Sequence, residues 1–214
     1  MATASAAEPV KGPYKDESTN LIYQLLFCDD LPLFEKQYTG ELAEPWATLF
    51  SKTPDLDAVA KISSDEKAES RVRMLAYNML RDAKKKVPEK KLLGTIIEVR
   101  LAEGLDTLAV FADGRARYIN HSGKMAIVEG DNTFAKEIEA VLATSAPIVA
   151  AIGPWEKARL PAPPKGNIRM TFLVSDGLYF GEGPMEIMQQ ERMAAPLINA
   201  ATSLLMKLVE KSTE

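Results

Sequence analysis

The sequence predicts an α+β fold: an antiparallel sheet of two hairpin or meander units with helices mainly on one face, preceded by a helical N-terminal region. Three observations carry this. Residues 92–130 hold four runs rich in β-formers, separated by turn signals at Ala102-Glu103-Gly104, Asp113-Gly114 and Asn120-His121-Ser122-Gly123. Residues 168–180 alternate in hydropathy and are divided by Ser175-Asp176-Gly177. Residues 15–87 instead repeat apolar side chains at one-turn helical spacing. Asp-Gly between alternating runs marks a hairpin, because the tight turn needs positive φ at its centre.

The elements follow in order. Residues 1–14 are small, polar and Pro-containing, and read as a disordered tail. Leu21, Ile22, Leu25 and Leu26 predict a helix, with Asp16 or Ser18 as N-cap. Short helices are expected near 33–38 and 41–50. Thr53-Pro54 then reads as N-cap and first-turn proline of a helix reaching about 62. Ser63 with Glu66 forms a capping-box pattern for the next helix, whose stripe is Ala68, Val72, Leu75 and Met79. Lys84-Lys85-Lys86 and Pro88 end it.

In the first strand Ile97, Val99 and Leu101 share one face, and Glu98 and Arg100 the other. The second, 107–112, is apolar on both faces and so is central or helix-covered. The third and fourth cover 115–119 and 124–129. Asp131 or Asn132 can cap a helix to about 143, with Phe134, Ile138, Val141 and Leu142 inward. Residues 147–166 form a connector stiffened by Pro161, Pro163 and Pro164, with Trp155 as its anchor. Ile168, Met170, Phe172 and Val174 alternate with Arg169, Thr171 and Leu173 in the next strand. Gly181-Glu182-Gly183-Pro184 leads into a final helix to about 211, with Ala194, Ile198, Ala201, Leu205 and Leu208 inward and Pro196 marking a bend or a break. The chain thus divides into the tail at 1–14, a helical region at 15–88 and an α+β domain at 89–214. The last two fold separately or as one unit.

Composition narrows the function classes. The chain has 214 residues, 46% of them hydrophobic, enough for a sizeable core. A net charge of −4 with interspersed signs argues against nucleic acid as a partner. The Lys84–Lys86 run with Lys90 and Lys91 is interrupted by Glu89 and lacks aromatic residues. Cys28 is the single cysteine, which rules out an internal disulfide and a cysteine-based zinc site. No apolar stretch is long enough for a signal peptide core or a membrane span. These features predict a cytoplasmic protein with no membrane partner.

The segment Ala112-Asp113-Gly114-Arg115-Ala116-Arg117-Tyr118-Ile119-Asn120-His121-Ser122-Gly123-Lys124 is similar to a bacterial family of uncharacterised proteins. The resemblance covers the meander at 92–130 and implies a bacterial, cytosolic origin. That family has no assigned activity, so the resemblance implies no mechanism and no site residue. The order strands–helix–strands–helix also resembles, at the level of fold alone, small ligand- or partner-binding folds of the roadblock and profilin kind.

The chemistry-bearing residues are few. His121 is the only histidine and stands beside Ser122. Adjacent side chains in an extended segment point apart, so a turn role is favoured over a catalytic dyad. Ser122-Gly123-Lys124 lacks the upstream glycines of a phosphate loop. Gly181-Glu182-Gly183 would meet an anion with Glu182 and Glu186 in the way. The acidic pairs have no metal-loop spacing. No catalytic residue, metal site or cofactor is expected. The favoured reading is a non-enzymatic protein-interaction module, binding another protein or itself as a homodimer. Met185, Met188 and Met193 on the final helix are its candidate interface. The alternative is a small-molecule-binding protein or enzyme with a pocket between the sheet and the C-terminal helix, where Arg115, Arg117, Tyr118 and His121 are the candidate ligand-binding groups.

Overall fold

The chain reaches the sheet before its first helix begins. In the computed structural model, which describes residues 12–211, Tyr14 is buried and its hydroxyl lies 2.8 Å from Thr107 Oγ1. Tyr14 is therefore a core residue, not part of a tail. Of that expected tail, residues 1–11 lie outside the described residues.

Five helices come first. In α1 (Glu17–Leu26), Asp16 is the N-cap and accepts a hydrogen bond from Thr19 N at 2.9 Å. Asp30 caps α2 (Leu31–Gln37) in the same way, and α3 (Trp46–Leu49) is a single turn. Asp55, not Thr53, caps α4 (Leu56–Ser64). The expected Ser63–Glu66 capping box does not form. Ser63 lies in the last turn of α4, where its hydroxyl donates back to Ala60 O at 2.9 Å. Asp65 then turns the chain by accepting from Lys67 N, and α5 starts only at Ser70 (Ser70–Asp82). Lys84, at φ +56°, ends α5 in a left-handed cap in which Lys85 N donates to Leu80 O.

The sheet has six antiparallel strands: β1 (Leu92–Arg100), β2 (Leu105–Phe111), β3 (Arg115–Ile119), β4 (Met125–Glu129), β5 (Asn167–Val174) and β6 (Gly177–Pro184). Their order is β4-β3-β2-β1-β5-β6, so the meander and the second hairpin join through β1 and β5. Both Asp-Gly turns have the expected positive φ, +83° at Gly114 and +154° at Gly177.

Each face of the sheet carries its own core. On one, Ile97, Leu108, Val110, Met170 and Phe172 pack against α6 (Ala135–Ala151) and α8 (Ala194–Lys211). On the other, Leu93, Ile96, Ala109, Phe111 and Leu173 pack against α1 and α5. The sequence places the helices mainly on one face, but the structure has them on both: α6 and α8 on one, α1 and α5 on the other. The N-terminal region covers the other face, and 15–88 shares a core with the sheet.

Three details depart from the sequence pattern. The helix expected to end near 143 continues through Pro147 to Ala151. Pro147 and Ala143, whose carbonyl loses its helical partner, both sit on the exposed side. The final helix divides at 189–193 into α7 (Met185–Met188) and α8, and Pro196 falls in the first turn of α8, where a proline is tolerated. Leu204 takes the buried place expected of Leu205, beside the buried Leu208. Trp155 anchors the connector as predicted. Its N–H donates to Leu178 O at 2.7 Å, and its ring meets Phe180 edge-on at 5.0 Å. No helix among the described residues is long and apolar enough to cross a membrane.

Candidate functional site

One row of side chains crosses the face covered by the N-terminal helices. Ile119, Thr107, Glu98, Arg169 and Glu182 are registered neighbours on β3, β2, β1, β5 and β6. Strand alternation puts them on a single face, so a covering layer must solvate whatever charge the row carries. Tyr14 covers Thr107. Tyr23, on α1, donates its hydroxyl proton to Glu98 Oε1 at 2.6 Å. Arg169 donates through Nε and Nη2 to Glu182 Oε2 at 2.7 and 2.5 Å. Its Nη1 donates to Pro161 O at 2.6 Å and Leu160 O at 3.3 Å, which fixes the connector.

Glu98 is the least satisfied member. It is 0% exposed, its Oε2 accepts no hydrogen bond, and the nearest cation, Arg169 Nη1, is 4.0 Å away. Burial raises its pKa, opposed by the Tyr23 hydrogen bond and by Arg169. Burial, and then the Glu98 charge, raises the Tyr23 phenol.

This row forms the base of a built wall. Arg159 in the connector donates to Asp29 Oδ2 at 2.6 Å and to Gln24 Oε1 at 2.5 Å, and its guanidinium lies 3.9 Å from the centre of the Phe27 ring. The proline-rich segment 160–165 is thereby held off α1, α2 and α5 across a cleft of about 1160 Å³. Tyr23, Leu75 and Met79 give it an apolar floor, and Leu31 and Leu33 of α2 line it as well. Asp29 is occupied by Arg159, and Asp30 by the α2 N-terminus. Arg100 and Lys165 also line the cleft, joined where Gly166 N donates to Arg100 O at 2.9 Å. Among the described residues neither cation has a carboxylate partner. Cys28 is buried, and burial raises its thiol pKa, so it behaves as a small apolar residue.

The residues singled out from sequence lie elsewhere. Arg115 and Arg117 meet at Glu129, at 3.5 and 2.9 Å, and Arg115 also pairs with Asp113. Tyr118 and His121 meet at Asp106, which accepts from the Tyr118 hydroxyl at 2.9 Å and from His121 N at 2.7 Å. These are two separate clusters, and none of the four lines the cleft. His121 sits in the expected turn with its side chain 43% exposed, while Asn120 Oδ1 accepts from the N–H groups of Ser122 and Lys124. Met185, Met188 and Met193 are half-buried, and the first two pack on the α6–α8 core. The cleft also lies on the opposite face of the sheet from α8.

No protein-family model, curated protein or solved structure matches the chain.

Sequence reasoning missed Glu98, Arg169, Glu182, Tyr23 and Arg159. A usable signal was present: Arg169 is the single charge of an otherwise largely apolar strand, and Glu98 directly follows the apolar run Ile96-Ile97. Their pairing depends on the β1–β5 register, which crosses a long sequence separation.

Proposed function

We propose that this chain is a binding protein, and that its cleft receives an extended segment of a partner polypeptide. The observation that carries the reading is the cleft itself. At about 1160 Å³ it exceeds the range of roughly 300–1,000 Å³ usual for small-ligand pockets. It has an apolar floor, two cations without ion-pair partners, Arg100 and Lys165, along one wall, and one further carboxylate, Asp82, on α5. A segment with apolar side chains for Leu75 and Met79 and a carboxylate for Arg100 fits that lining. The proline-rich wall supports the same role. It is held open by Arg159 and Arg169 before any partner arrives, which lowers the ordering cost of binding. The lone, buried Cys28 suits a reducing compartment, and the reading includes a cytosolic setting.

The test begins with dodecapeptides selected from a random displayed library on the immobilised chain. Their binding is measured by fluorescence anisotropy to the wild type, to Arg100→Glu and to Lys136→Glu, an exposed charge on α6 across the sheet. The expected result is acidic, apolar peptides whose affinity falls at least about tenfold in Arg100→Glu and holds in Lys136→Glu, the size of loss typical when a charge-assisted contact is reversed. Peptides that bind Arg100→Glu as well as the wild type would reject the cleft as the site.

A further inference from the structure

The two edges of the sheet are treated differently. The β6 edge is guarded, because Trp155 N donates to Leu178 O and the indole packs on Phe180. The β4 edge has no such cover. Asn120 N donates to Lys124 O at 2.9 Å, so alternation in the antiparallel pair turns the backbone groups of Ala126 and Val128 toward β3. Those of Met125, Ile127 and Glu129 turn outward. Among the described residues nothing accepts from or donates to them. The side chains of the same strand are apolar and exposed: Ile127 is 56% exposed and Met125 36%. Natural sheets usually protect such an edge with lysine, proline or a covering segment, because a bare one templates another strand.

We propose that β4 is a self-association edge, where a second copy of this chain adds its own β4 antiparallel and continues the sheet. The strand is complementary to itself. With a two-fold axis at Ile127, that residue pairs with Ile127 of the second copy, and Met125 pairs with its Glu129. Each such pair exchanges both backbone hydrogen bonds, since all three residues turn theirs outward. The same register sets Lys124 opposite Gly130 of the second copy, between its Glu129 and Asp131, which already carry Arg115, Arg117 and Lys211, so no like charges are brought together there. Glu129 is already held by Arg115 and Arg117, which fixes its stem beside the incoming Met125. This surface is remote from the cleft, so the proposal stands or falls independently of the partner segment.

The experiment uses the full chain. Sedimentation velocity over roughly 1–300 μM spans the range where small interfaces dissociate. The wild type should pass from monomer to dimer with rising concentration. Ile127→Lys, which keeps every internal backbone bond of β4, should raise the dissociation constant by about tenfold or more. Ile127→Cys provides the positional check. Paired residues of this kind have Cα atoms about 5.5 Å apart, within reach of a disulfide. Mild oxidation should therefore cross-link the two introduced thiols, while Met206→Cys, exposed on α8, stays uncross-linked and the buried Cys28 is inert. Circular dichroism confirms that each variant folds. A wild type that stays monomeric throughout would overturn the proposal. So would a dimer indifferent to Ile127→Lys, or an Ile127→Cys variant that dimerises without cross-linking.

Discussion

Replacing Arg169 by Met removes the one cation that joins Glu98, Glu182 and the cleft wall. The thioether fills much of the side-chain volume, so the loss is electrostatic rather than a cavity. Arg169 is nearly fully buried and Glu182 mostly so, with side-chain exposures of 6% and 19%, so solvent screening relieves little of the cost. The variant loses the bonds to Glu182 Oε2 and to the Leu160 and Pro161 carbonyls, and it leaves Glu98 with no cation closer than Arg159. Removing one partner of a buried ion pair costs about 3–5 kcal/mol, and that is the expected destabilisation. Urea unfolding followed by tryptophan fluorescence measures it, and Trp155 beside Phe180 reports this region directly. Glu98→Gln in the Arg169→Met background should recover part of the loss, because the uncompensated charge is then gone. A coupling of about 1–3 kcal/mol between the two sites is expected. A loss below about 1 kcal/mol, or strict additivity, would refute the argument that this row is held by its charges.

Three further outcomes follow from the same geometry. Burial raises the Glu98 pKa above its unfolded value, so the stability it contributes is full below the unfolded carboxylate pKa and is lost as pH rises through the folded one. Urea melts of wild type and Glu98→Gln should therefore move in favour of the wild type as pH falls from neutral into the acid range, and a pH-independent difference would contradict this. Gly177→Val forces a Cβ to 2.9 Å from Pro154 Cβ at a φ of +154°, and thermal melts should register a loss of about 1–3 kcal/mol. Leu204→Ala should cost about 2–5 kcal/mol and Leu205→Ala distinctly less, since only Leu204 is fully buried; equal losses would place the helix face wrongly.

Much of the fold was legible because it rests on local chemistry. The Asp-Gly turns, the alternation in residues 168–174 and the Asp16 cap are all written within a few neighbouring residues. Errors arose where a second element decides the outcome. Tyr14 lies in a polar stretch and reads as tail, yet its ring is packed against Tyr23, which local sequence does not reveal. Glu98 and Arg100 read as the polar face of β1, and that inference about faces is correct. What local pattern does not contain is that α1 and α5 cover this face, which turns Glu98 from a solvated charge into a buried one. The cleft is harder still, since its lining comes from α1, α2, α5, β1 and the connector. Arg115, Arg117, Tyr118 and His121 drew attention because they are close in sequence, but alternation along β3 sends Arg115 and Arg117 to Glu129 and Asp113 and Tyr118 to the opposite face, where it shares Asp106 with His121 of the following turn.

The most direct test of the cleft is to watch it fill. Methyl-labelled protein can be titrated with a selected acidic, apolar peptide, and the leucine and methionine methyl resonances followed by NMR. The cleft reading predicts shifts concentrated at Leu31, Leu33, Leu75 and Met79, with Leu197, Leu204 and Leu208 on the far side of the sheet unmoved. Shifts confined to the α8 face, or to Met185, Met188 and Met193, would contradict it and move the binding surface to the opposite side of the molecule.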